Sequence, residues 1–213
     1  MVKIVLTAFG KFHGVENNPT KDILKYIQSI KNFKQSIYKN ICYTALIEVS
    51  AKGVSEHLLR IRDSIRNKYP TEKIIFIHMG VHGKAEKIHL ENTGWNLMDF
   101  RVPDERKEQP RNTLIVNNDK LKSLNTKVNI DKLLSINGIK EYAKFSTDPG
   151  RFVCNYILFK SLYYNHTKIN ETSLFVHVPT FKVMNFEIQL ECVNKIIDNV
   201  GKCFSLVIPK RVG

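Results

Sequence analysis

Apolar residues fall along the chain in two rhythms. Continuous runs such as Ile4-Val5-Leu6 and Ile74-Ile75-Phe76-Ile77 have the length of strands buried on both faces. Between them apolar positions recur three or four residues apart, the spacing of a helix with one inward face. Val2 to Phe9 reads as a first strand, followed by a loop from Gly10 to Pro19. Thr20 is placed to cap a helix carrying Ile23, Leu24, Ile27 and Ile30. Ile37 to Val49 reads as a strand, and Val54 to Tyr69 as a helix with Leu58, Leu59, Ile61 and Ile65 inward. Lys73 to Met79 is a second buried strand, with a short one at Lys87 to Leu90.

From Phe100 to about Ser123 the chain is polar and broken by Pro103 and Pro110, the pattern of a surface excursion. A helix is expected over Ile130 to Ile136 and a short strand over Tyr142 to Phe145. Pro149 to Tyr164 reads as a helix, since proline suits a first turn. Leu174 to Val178 is an apolar strand. Asn185 to Val200 is an amphipathic helix that Gly201 would end. Strands alternating with helices predict a three-layer α/β domain, a mostly parallel or mixed central sheet with helices on both faces. No repeat, linker or shift in composition divides residues 1–213, so one domain is expected.

Composition changes this picture little. With 213 residues, 43% apolar and 25% charged, the chain can bury an ordinary core. No apolar stretch approaches the roughly 20 residues of a membrane helix. The formal charge of +13 raises the question of nucleic acid. The lysines are spread over the whole length, however, with small clusters only at Arg106-Lys107, Arg111 and Lys210-Arg211. A solvated basic surface is the favoured reading. Cys42, Cys154, Cys192 and Cys203 form no CxxC pair, so neither a zinc site nor a disulfide framework is indicated. Free thiols and the lack of a full signal peptide place the protein in the cytoplasm.

In an α/β sheet the chemistry collects at the C-terminal strand ends. Those ends carry Phe9-Gly10-Lys11-Phe12, Gly80-Val81-His82-Gly83 and His177-Val178-Pro179. Neither glycine-bearing loop matches a phosphate-binding pattern. Cys154 falls near the start of a helix, where the dipole favours a thiolate. Taken alone it fits a core-packing role as well as a nucleophile. His177, in a buried strand, is either a satisfied core residue or a base. His82 and His89 sit in or beside the glycine-flanked loop, His78 within a strand, and His13, His57 and His166 at surface positions. Spacing does not choose among them.

Several ordered segments together resemble the pyroglutamyl-peptidase I family, the cytosolic cysteine peptidases that remove an N-terminal pyroglutamate. Thr7-Ala8-Phe9-Gly10-Lys11-Phe12 with Asn18-Pro19-Thr20 resembles the family's opening strand and loop. Gly80-Val81-His82-Gly83, Leu90-Glu91 and Arg101-Val102-Pro103-Asp104 resemble the segment of its glutamate. Gly150-Arg151-Phe152-Val153-Cys154-Asn155-Tyr156 resembles the nucleophile motif, and Ser173 to Pro179 the histidine motif. The resemblance covers roughly residues 2 to 200. It implies Cys154 as nucleophile, His177 as base and Glu91 as the residue orienting it. Phe9 and Phe12 would flank the pyrrolidone ring, Asn18 would hold the opening loop, and Phe152 and Val153 would line the pocket. Val81 stands where many microbial members carry a substrate-contacting Gln, and Arg101 where the family has an arginine near the oxyanion. The implied substrate is a peptide with N-terminal pyroglutamate, and the implied fold a twisted mixed sheet flanked by helices, of a phosphorylase/hydrolase-like kind. No metal or organic cofactor is implied, no membrane partner is expected, and a homo-oligomer is left open. Three rivals remain: a basic binding module on the same fold, a hydrolase of another acyl substrate, and an inactive homologue.

Overall fold

The computed structural model describes residues 1–12, 14–30 and 36–204; His13 and the Lys210-Arg211 pair lie outside them. Among the described residues six strands form the main sheet: β1 (Val2–Phe9), β2 (Ile41–Ile47), β3 (Lys73–Val81), β4 (Ile88–Glu91), β7 (Ala143–Ser146) and β8 (Glu171–Val178). Their order across the sheet is β2-β1-β3-β8-β4-β7. The first four are parallel. β4 runs antiparallel to β8, and β7 runs with β4. A small second sheet pairs β5 (Thr93–Trp95) with β6 (Ser123–Asn125).

β8 is buried along its whole length, and β3 at every residue but Lys73. That is the requirement for strands covered on both sides. One face carries Ile4, Leu6, Ile75, Ile77, Leu174 and Val176 against α1 (Pro19–Ser29), α3 (Ile130–Leu134) and α5 (Phe186–Asn199). The other face carries Val5, Ile74, Phe76 and Phe175 against α2 (Ala51–Lys68) and α4 (Val153–Asn165). The alternation follows the two-residue period of a strand. Each fully buried Leu, Ile or Phe side chain contributes about 1.5–3 kcal/mol. The three-layer α/β arrangement expected from the sequence is therefore the observed one.

Several boundaries differ, each for a local reason. α1 is capped by Asn18, whose side chain accepts from Thr20 N, and Thr20 Oγ1 donates to the same oxygen at 2.8 Å. Pro19 takes the first helical position, so the cap falls on the residue before it rather than on Thr20. Residues Ile37–Asn40 form a 3-10 turn, and the strand begins only at Ile41. α4 begins at Val153, four residues after Pro149. Gly150 has φ +76° and its N–H bonds the Asp148 side chain, so residues 147–152 make a turn instead of helix. His57, expected at the surface, is buried on α2 beside Tyr43.

The polar stretch after Phe100 is anchored from below. Asn96, 2% exposed, donates from Nδ2 to the carbonyls of Val116, Asn118 and Leu121 and accepts from Val116 N. Buried Asp104 accepts from Ala51 N at the start of α2 and from Arg106 N and Glu108 N.

Candidate active site

The site lies on the α4 side of the sheet, where three strands and one helix meet. β3 and β8 run in register, with Gly80 opposite His177 and His78 opposite Phe175. β4 crosses in the other direction, which sets His89 opposite His177 and Glu91 opposite Phe175. Directly paired residues point to one face, as do residues two apart. His177, Glu91 and His89 therefore converge.

His177 Nδ1 and Glu91 Oε1 are 2.8 Å apart, with His177 2% and Glu91 0% exposed. His89 Nδ1 stands 3.7 Å from the same oxygen. Burial pushes the Glu91 carboxyl up, but the bond from His177, the polar neighbours His89 and Ser146 and the charge of His177 outweigh it and hold it down to about 2. His82 stands edge-on to the His177 ring, centroids 5.4 Å apart, and 5.2 Å from His89. Phe175 packs against His177 from below at 4.6 Å. Three imidazoles thus cluster here, two of them against one buried carboxylate.

Cys154 is the second residue of α4. Its sulfur lies over Gly80: a Cβ built on that glycine would stand 3.1 Å from Cys154 Sγ and 2.7 Å from Phe175 Cζ. The missing side chain at position 80 is what leaves room for the thiol there, opposite the register position of His177. The sequence suggested a thiol activated by the helix start. In the structure burial dominates, and together with the Glu91 charge it pushes the Cys154 thiol up to about 12, partly offset by a backbone hydrogen bond. The helix start has a different property. Its N-cap, Phe152, makes no side-chain cap bond, so α4's first N–H groups are left without a capping acceptor. Asn155, the next residue, accepts from Trp95 N and donates to the carbonyls of Trp95 and Leu97, tying α4 to the edge of the small sheet.

A cleft of about 830 Å³ opens at this point. Cys154, His177, Phe12, Val81, Phe152 and Arg101 line it, so the fold brings together six of the residues singled out from the sequence. Phe12 meets Phe152 at 6.1 Å, and Phe152 meets Phe100 edge-on at 4.7 Å, forming an aromatic wall. Glu91 sits behind His177, away from the lining. Phe9 and Val153 point elsewhere: both are buried in the core, with Phe9 packed toward Phe175 at 6.5 Å. Asn18 is buried too and bonds Gly10 O at 3.0 Å, clamping the loop that carries Phe12. Val15, Lys84, Asp99 and Arg151 join the walls without having been singled out. Their only sequence signal was position, Arg151 inside the nucleophile motif and the others within a few residues of a quoted one. Among the described residues no group of three or more His, Cys, Asp or Glu is arranged to hold a metal.

A family model described as pyroglutamyl peptidase matches residues 2–199. The pyrrolidone-carboxylate peptidase of Thermococcus litoralis is 31% identical over 184 residues, covering 84% of this chain and 77% of that protein. The enzyme of the same name from Pyrococcus furiosus is 28% identical over 204 residues, covering 94% and 86%. The crystal structure of Bacillus amyloliquefaciens pyroglutamyl peptidase I superposes with a TM-score of 0.76 at 19% identity, covering 96% of this chain and 99% of that one. At that identity the likeness is one of fold. With nearly the whole length matched by one family model, and a relative above 30% identity beside it, the chain belongs to the pyroglutamyl peptidase family.

Proposed function

We propose that this protein hydrolyses the peptide bond after an N-terminal pyroglutamate, with Cys154 as nucleophile, His177 as base and Glu91 as the group that orients His177. The observation that carries the assignment of roles is the buried 2.8 Å contact between His177 Nδ1 and Glu91 Oε1, at the edge of a cleft into which Cys154 opens. Glu91 accepts the Nδ1 proton and thereby leaves Nε2 free to take another.

Because burial favours the protonated thiol, the proton leaves Cys154 as the sulfur attacks. His177 receives it, and the imidazolium is stabilised by the Glu91 carboxylate. The sulfur adds to the pyroglutamyl carbonyl carbon, and the carbonyl oxygen becomes an oxyanion. Uncapped N–H groups at the start of α4 lie on the nucleophile's own helix turn, suited to that charge. Arg101 on the cleft wall adds a positive field. His177 then protonates the leaving amine, the C–N bond breaks, and a thioester remains. Water, deprotonated by His177, hydrolyses it and restores the thiol.

The substrate suits the walls. Pyroglutamate is a neutral, flat lactam with no charged amino group to grip. An aromatic wall of Phe12 and Phe152 offers a flat apolar surface for it. The four cysteines are free, and a catalytic thiol suits a reducing compartment, which supports the cytoplasm as its location. No described helix is long and apolar enough to cross a membrane.

The test is hydrolysis of a fluorogenic pyroglutamyl amide by the reduced protein, beside the matching prolyl amide. Release from the first alone, blocked by iodoacetamide, is the expected result. Failure to cleave either amide, by folded protein, would refute the reading.

A further inference from the structure

The cleft is much larger than a five-membered lactam needs, and the rest of it has a definite charge. Its walls carry Lys84, Arg101 and Arg151 against one carboxylate, Asp99. Asp99 is already engaged, with Arg111 Nε 2.7 Å from its Oδ1. Arg151 is engaged as well, by Asp148 at 2.6 Å and by the face of Trp95 at 4.8 Å. Lys84 and Arg101 make no ion pair among the described residues, and both are exposed.

These two cations are held by their backbones and free at their heads. Lys84 N donates to His82 Nδ1 at 3.3 Å, in the turn that follows β3. The Arg101 carbonyl accepts from Gln109 Nε2 at 3.0 Å. Arg101 also follows Phe100, whose ring packs on Phe152 next to the nucleophile. Both side chains thus spring from segments fixed to the catalytic elements, one from the His82 side and one from the Phe152 side. Both residues line the same cleft as Cys154, so the part of a peptide beyond pyroglutamate that stays in the cleft shares it with this pair.

We propose that the outer cleft is a subsite for the residue that follows pyroglutamate and that Lys84 and Arg101 make it select an acidic side chain there. The inference rests on the function proposed above and names the substrate class of that same site. Aspartate or glutamate at the next position places a carboxylate between two unpaired cations inside a partly enclosed cleft. A lysine there meets the same field with the wrong sign and has only a paired Asp99 to answer it. Exposed pairs of this kind are individually weak, so two of them together give a preference of about tenfold.

The experiment compares three blocked peptides that differ at one position: pyroglutamyl-Asp-Ala-amide, pyroglutamyl-Ala-Ala-amide and pyroglutamyl-Lys-Ala-amide. The amide end removes the terminal carboxylate from the comparison. The expected order of kcat/KM is Asp above Ala above Lys, with the Asp-to-Lys ratio near tenfold at low salt and shrinking as salt screens the charges. Lys84→Glu should reduce that ratio several-fold. Equal rates for the three peptides, or faster cleavage of the lysine peptide, would overturn the acidic subsite while leaving the peptidase reading intact. Failure to cleave the alanine peptide at all would overturn the peptidase reading itself, and the subsite with it.

Discussion

The sulfur of Cys154 lies in space that Gly80 leaves empty, 3.1 Å from where a Cβ on that residue would stand. Gly80 is also the register partner of His177, so the glycine sets how close the thiol can come to the strand pair that carries the proposed base. Gly80→Ala should therefore act on chemistry through crowding. The added methyl also meets Phe175 Cζ at 2.7 Å, and overpacking of this kind costs about 1–3 kcal/mol of stability. The expected result is a folded protein with kcat down by about tenfold or more, because a displacement of a fraction of an ångström in the nucleophile is felt directly in the rate. Denaturant midpoints and steady-state kinetics on the same sample check both parts.

Cys154→Ala should lower turnover by about four orders of magnitude with little change in folding. Changing Cys42, Cys192 and Cys203 to alanine together should leave the chemistry in place, at some cost in stability from the two buried sites. Mass spectrometry after a single equivalent of iodoacetamide, read with residual activity, would show which thiol matters. Full activity with Cys154 absent would remove it from the mechanism.

The thiol's raised pKa gives a second prediction with a definite sign. Alkylation of Cys154 by iodoacetamide should be slow at pH 7 and climb steadily as pH rises beyond 9, since the thiolate fraction grows until about 12. A rate already flat below pH 7 would reveal a resting thiolate and count against proton transfer during attack.

Glu91→Gln tests the orienting role. It should slow turnover by about 10²-fold, less than His177→Ala at about 10⁴-fold, because an amide oxygen can still receive the Nδ1 proton. The acid behaviour has its own sign. The Glu91 carboxyl is held below its ordinary value, so its share of stability is present above pH 4.5 and is lost as pH falls toward 2. Urea midpoints for wild type and Glu91→Gln should therefore converge as the solution is acidified. A constant gap from pH 7 to pH 2.5 would refute it.

Asn155→Ala should loosen the helix start from the small sheet. Three bonds to residues 95–97 vanish, and buried backbone groups there lose their partner, at about 1–3 kcal/mol for each group left unsatisfied. Thermal unfolding would show the loss of stability, and hydrogen exchange at Trp95 and Leu97 would localise it.

Much of this was written into local pattern. β1, β3 and β8 were legible because strands buried on both faces are continuous apolar runs, and Cys154, His177 and Glu91 stood out as candidates because ordered motifs surround them. Other features obey forces that local pattern does not carry. β5 and β6 span three residues each, too few for any period to register. The start of α4 moved because Gly150 adopts a positive φ, which a proline signal just before it concealed. Phe9 and Val153 belong to motifs but face the core, since neighbouring positions on a strand or helix point in different directions. The place of His89 was hidden most deeply. It depends on β4 running against β8, and strand direction is a property of the whole sheet.

The position of β8 also bears on when the molecule becomes a peptidase. It is the last made of the described strands, yet it lies between β3 and β4 in the sheet. During synthesis β1, β2 and β3 can associate early, as can β4 with β7, but no strand joins the two groups until residues 171–178 have left the ribosome. With the roles proposed above, the nucleophile Cys154 emerges first and waits without its base. On that proposal a nascent or truncated chain ending before His177 carries a thiol and no base to activate it, and hydrolysis should begin only once the sheet is complete.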